Sequence, residues 1–207
     1  MIKILLENSY FSPAHHKGNY WLHPLVREFS YDDLEKKKEI HKLACQYYLS
    51  IKLLEKTSKK EDVVSLIEAH YHACKAEEYD LAVNIIFESN LYGYLNRLGE
   101  YRTLVELYTG VLPKDLLRDK PLLSDIETHN SVLGSLGNAY SALGKRKEAL
   151  DNYKTALKHY ENLLDSDPAN INYQSYVATT SNNIGALLAN MGKREEALGF
   201  VSRDLVQ

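Results

Sequence analysis

The sequence predicts an all-α solenoid of antiparallel helix pairs, and three observations lead there. The second half repeats itself: "LGNAYSALGKRKEALDNY" from Leu136 aligns with "IGALLANMGKREEALGFV" from Ile184 at a constant offset of 48 residues. Apolar residues recur at i, i+3, i+4 and i+7 through long stretches of the chain, the spacing of amphipathic helices. Sixteen tyrosines against one tryptophan bias the aromatics toward the residue that fills seams between stacked helices.

Taken in order, "MIKILLENSYF" reads as a short helix and strand, "SPAHHKGN" as a hairpin tip and "YWLH" as a returning strand. Pro24 then opens a helix at the first turn, where its missing N–H is tolerated. "DDLEKKKEIHKLACQYYLSIKLL" follows as one amphipathic helix with Asp32 or Asp33 as its cap. Asp62 to Pro113 reads as four shorter helices: Leu66, Ala69, Ala73, Ala82 and Ile86 share one face, and Gly99 punctuates the second pair. "LPKDLLRDKPLLSD", with two prolines, is an irregular connection. Residues 128–168 and 169–207 are two longer helix pairs around Gly-Lys turns, with Gly144 and Gly192 as flexible C-terminal caps. Asp167 and Pro168 break the long helix between them, and Asn170 caps the next.

Leu136, Gly137, Tyr140, Gly144, Ala149, Tyr153 and Ala156 resemble the tetratricopeptide repeat consensus. Small residues stand where paired helices touch, and tyrosines fill the wider gaps. The second copy keeps Ile184, Gly185, Gly192 and Ala197, but has Leu188, Val201 and Asp204 where two aromatics and a small residue are usual. Its period exceeds the family's usual ~34 residues by about four helical turns, placed in "HYENLLDSDPANINYQSYVATT". The resemblance implies a tetratricopeptide-like solenoid, degenerate over residues 32–112, connected through 113–127 and extended over 128–207. It also implies a concave groove lined by Ser131, Gly134, Asn138 and Ser141, then Asn182, Asn183, Ala186 and Asn190. Asparagine offers both donor and acceptor, suited to gripping a peptide backbone. Asn138 and Asn183 occupy places that resemble the asparagine pair of carboxylate-clamp domains, whose lysines are missing.

A second resemblance concerns "WLHPLVREF" and the following "H.LACQYYL". A helix, a two-strand wing and a following helix are the back half of a winged helix, so residues 1–31 read as a winged-helix remnant. The junction looks like that of the signal-transducing ATPases with numerous domains, the STAND class. There a histidine reaches the β-phosphate of ADP, a role that falls on His23. The chain has no GxxxxGK[ST] loop to hold phosphates: "GKRKEALD" sits at a helix-helix turn with no hydroxyl after Lys145. His23 is therefore a nucleotide sensor only with a partner NTPase domain.

Other chemistries find little support. A net charge of −3 and a pI near 6.2 give no field for nucleic acid or an anionic membrane, and the runs Lys36–Lys38 and Lys59–Lys60 are flanked by acids. No stretch approaches the roughly 18 apolar residues needed to span a bilayer, and the start does not read as a signal peptide. Two cysteines suit a reducing interior, so the expected location is cytoplasmic. "HYHAC" puts His70 and Cys74 one helical turn apart, but a structural zinc site needs His41 and Cys45 to converge on them; no metal and no cofactor are expected. His15-His16 reads as a solvated turn. No nucleophile, base and acid stand in a recognisable arrangement, so no catalytic residue is assigned.

The functional expectation is a non-enzymatic scaffold that binds a protein or peptide in the groove at Asn138, Ser141, Asn182, Asn183 and Asn190. The alternative is the sensor fragment of a STAND-type switch whose ATPase lies outside the chain. An array ending without a polar capping helix is expected to self-associate through its last apolar face.

Overall fold

A computed structural model of the chain describes residues 11–13, 20–22, 36–53, 58–116 and 119–201. Two short strands, β1 (Phe11–Pro13) and β2 (Tyr20–Leu22), pair antiparallel with Ser12 opposite Trp21; β2 falls on the expected returning strand, whereas β1 takes in Ser12 and Pro13, which the sequence reading places in the hairpin tip. The other regular elements of the described residues are helices: α1 (Lys37–Ser50), α2 (Val64–Lys75), α3 (Tyr79–Phe87), α4 (Leu91–Arg97), α5 (Tyr101–Gly110), α6 (Ile126–Ala142), α7 (Arg146–Ser166), α8 (Ile171–Asn190) and α9 (Arg194–Val201). A single 3-10 turn, Lys60–Val63, leads into α2. Among the described residues no helix is long and apolar enough to cross a membrane.

The first helix is shorter than the sequence pattern suggests. α1 follows Lys36, whose side chain makes no capping bond, and it stops at Ser50 because β-branched Ile51 turns extended, so Ile51, Lys52 and Leu53 are not helical. Asp32, Asp33, His15, His16 and His23 lie outside the described residues.

Four helix pairs share one turn. After α2, α4, α6 and α8 the chain enters the left-handed region at Glu77 (φ 62°), Gly99 (72°), Gly144 (73°) and Gly192 (79°). The next N–H reaches back to the fifth residue before it, in the bonds Glu78 to Ala73, Glu100 to Leu95, Lys145 to Tyr140 and Lys193 to Leu188, all 2.9 Å. The turn residue's own N–H returns to Cys74, Asn96, Ser141 or Ala189. These two bonds satisfy carbonyls that a helix end otherwise strands, and they reverse the chain within three residues. Glycine enters this region freely, and Glu77 does so against a steric penalty.

The long pairs begin with proper caps. The Asp125 carboxylate accepts from the Thr128 N–H (2.7 Å) and the Glu127 N–H (3.4 Å), and the Asn170 side-chain oxygen accepts from Asn172 and Tyr173. Asn170 thus restarts the helix that Asp167 and Pro168 end, as its sequence position implies.

Packing follows the order of the chain. α1 lies on α2, α2 on α3 and α5, α5 on α6, α6 on α7, α7 on α8, and α8 on α9. One apolar cluster runs from Cys45 on α1 to Ala156 and Tyr160 on α7, and a second joins Ala149, Tyr153 and Leu157 of α7 to Ile184, Leu188 and Ala197. Helix α7 therefore carries both, as expected of an array in which each unit contacts its neighbours. Between α5 and α6 the chain is irregular but anchored: Val111, Leu112, Pro113 and Leu123 are buried, and the Ser124 N–H donates to Asp80.

Two glycines of α6 have opposite roles. A methyl group at Gly137 would lie 2.6 Å from the Tyr153 ring, which is itself buried and fixed by its hydroxyl. At Gly134 a methyl group meets nothing within 4 Å. Gly137→Ala is expected to destabilise by about 1–3 kcal/mol through overpacking, whereas Gly134→Ala stabilises by roughly 0.5–1 kcal/mol by removing helix-interior glycine. Urea unfolding of the two variants checks this; equal shifts in midpoint would contradict the close approach.

Candidate functional site

On α6 the outward residues follow one stripe. Ser131, Asn138 and Ala142 are exposed, with Gly134 and Ser141 half-buried beside them. On α8 the stripe is Asn172, Ser175, Thr179, Asn182, Ala186 and Asn190, all exposed. The two helices meet at their first turns, where the Tyr173 hydroxyl donates to Glu127 (3.0 Å). The tilted rings of Tyr160 and Tyr176, 5.0 Å apart, clamp α7 to α8 behind them.

Most of the expected groove residues therefore lie at least partly exposed on α6 or α8, with two differences. Asn183 is half-buried, because one residue's step around a helix turns it about 100° from Asn182. Asn138 is exposed, but its Oδ1 accepts the Tyr153 hydroxyl at 2.6 Å, which leaves the amide N–H groups as what it offers outward. Burial pushes the Tyr153 phenol up to about 12, so it remains a donor at ordinary pH. Ser131 lies 3.3 Å from the Tyr160 hydroxyl.

The surface is defined as much by what it lacks. All 20 residues of α8 are uncharged, and α6 is uncharged from Thr128 onward, apart from the buried imidazole of His129. The intervening α7 is rich in charge: "RKEALDNYKTALKHYENLLDS". Asn172, Ser175 and Thr179 extend the stripe beyond the expected residues. The signal available for them was the charge-free run itself.

The histidines and cysteines of α1 and α2 do not converge. His41 faces His72, with 2.6 Å between their Nδ1 atoms. His70 turns instead toward α5, where Gly110 makes room for its ring. Cys74 Sγ is 3.8 and 3.9 Å from the two His70 nitrogens, a packing contact rather than one aimed at a single lone pair. Burial pushes the Cys74 thiol up to about 12, which disfavours the thiolate that a metal needs. Among the described residues no three His, Cys, Asp or Glu side chains are grouped to hold a metal.

His70 gives a pH test of this packing. Burial lowers it from 6.5 to about 4, against a raising hydrogen bond to the Leu107 backbone. The unfolded chain thus takes up the proton more readily than the folded one. The contribution is intact above pH 6.5 and is lost as pH falls toward 4, by about 2–3 kcal/mol at the lower limit. Urea midpoints across this window should fall in the native chain and fall less in His70→Gln. Equal slopes would place His70 in contact with water.

The tetratricopeptide repeat family model matches residues 131–170, which span most of α6, the Gly144 turn and α7. No curated protein matches the chain. The match supports a tetratricopeptide-repeat protein, in general a protein-interaction module, and the helix pairs around it form an all-α, tetratricopeptide-like helical repeat fold.

Proposed function

We propose that the chain is a non-enzymatic scaffold that docks a protein or peptide on the outward stripe of α6 and α8. The observation that carries this reading is the absence of charge across an exposed surface in a chain whose residues are 26% charged. Interface cores are depleted in charge because an ion buried without a partner is costly. The small side chains of Ser131, Gly134, Ser175 and Ala186 lose little rotamer freedom on contact. Asn182, Asn190 and the N–H groups of Asn138 supply hydrogen bonds to a main chain whatever its side chains are.

Affinity capture with the purified chain tests the assignment. Asn182→Lys combined with Ala186→Glu should reduce recovery of specific partners about tenfold or more, as expected when binding loses roughly 1.4 kcal/mol. Lys154→Glu, on the charged helix α7, should leave recovery unchanged. Full retention by the double variant would remove α6 and α8 from the binding surface.

The second reading, a sensor arm of a nucleotide-dependent switch, has one observation in its favour. The antiparallel pair β1 and β2 stands where a two-stranded wing is expected. On this reading the chain, supplied with its ATPase partner, retains ADP, and His23→Ala weakens that retention. Calorimetry that finds ADP affinity unchanged by the substitution would remove His23 from the site.

A further inference from the structure

We propose that the contact between α1 and α2 is an acid-sensitive latch, in which the His41–His72 pair holds α1 on the array only while at most one of the two rings is charged.

The geometry sets this limit. A separation of 2.6 Å between the Nδ1 atoms requires one hydrogen between them, carried by one ring and accepted by the other. A neutral pair meets the requirement with opposite tautomers. A first added proton fits on the Nε2 of the donor ring. A second must go to the accepting Nδ1, where it would face an N–H along the same short line. The rings lie 4.9 Å apart, and His41 is only 5% exposed, so they have little room to turn away within the packed state.

Among the described residues, the charges of Lys75 and Glu68 do not relieve the limit. From α2, Lys75 opposes a charge on His41, Glu68 favours one on His72, and Tyr71 meets His41 edge-on at 6.2 Å. From α1, Tyr48 stacks on His72 at 5.5 Å and 13°, and Cys45 lies one helical turn from His41. Burial is the largest influence on both histidines and lowers both. Lys38 and Lys42 pair with Glu77 and Glu78 at the turn after α2, in exposed bridges.

Helix α1 is also held on one side. Leu43 and Tyr47 are 66% and 64% exposed, and a cavity of about 240 Å³ lies between Cys45 and Gln46 on α1 and Ala73, Ala76 and Leu81 beneath it. The histidine contact thus stands beside the apolar one that Cys45 and Tyr48 make with the first cluster. Release of α1 opens that cavity and bares Cys45. The latch is independent of the α6–α8 surface.

Amide hydrogen exchange of the full chain, read by mass spectrometry and corrected for intrinsic rates, tests it. Between pH 7.5 and 5.5 the opening constant of residues 37–50 should rise about 10-fold to 100-fold, the range for one or two extra protons taken up at pKa values near 6.5. His72→Asn and His41→Asn each put a non-titrating amide near the lost Nδ1, and each should cut the rise to less than about threefold. A wild-type change below about threefold would overturn the latch. So would an undiminished rise in both variants, which assigns the acid effect to global unfolding through groups such as His70.

Discussion

The fold depends on one backbone constraint: at the end of four helices, a single residue must enter the left-handed region so that two consecutive N–H groups can turn back onto the helix. Gly99, Gly144 and Gly192 meet it without strain, and Glu77 meets it with some. Because the same two hydrogen bonds form each time, the next helix leaves in the same relation to the last. That relation brings Tyr153 against the bare backbone of Gly137 and its hydroxyl to Asn138. It also lets α7 serve two apolar clusters at once. The stack then grows by neighbour contacts, which explains how pairs of such different length, from seven residues in α4 to 21 in α7, join one array.

Within the array the helices divide their roles by charge. α7 meets solvent with lysines, arginine and acids and uses tyrosine and alanine inward. α8 packs on α7 and is of similar length, yet its solvent side is asparagine, serine, threonine and alanine. Solubility alone does not require that difference. The proposed docking of a partner makes use of it, since neutral groups are removed from water at lower cost than ions. The junction between α7 and α8 is set instead by the break at Asp167 and Pro168 and the Asn170 cap, and the Tyr173–Glu127 hydrogen bond joins the first turns of the two neutral helices, α8 and α6.

Much of this was legible in the sequence because it is local. A glycine before a lysine and an apolar stripe mark a turn and a buried side within a few residues, and residues 131–170, where the consensus is fullest, are those the family model matches. Glu77 escaped because glutamate carries no turn signal; only the bonds to Ala73 and Cys74 reveal its role. The limits of α1 escaped because no capping side chain marks its start. The sequence does not reveal that the acceptor of Asn138 is already taken, since its bond to Tyr153 spans 15 residues, and the His41–His72 contact spans 31. Such contacts follow from how helices are placed, which no short window of sequence contains.

The central claim is that one turn geometry organises the described chain from α2 to α9. Residue-resolved amide exchange by nuclear magnetic resonance tests it most directly, at the N–H groups of Glu78, Glu100, Lys145 and Lys193. All four should exchange far more slowly than the exposed amides of the connection between α5 and α6, since each is committed to the helix it follows. Protection at Lys145 and Lys193 with free exchange at Glu78 and Glu100 would contradict the account, because the short pairs would then not be built as the long ones are.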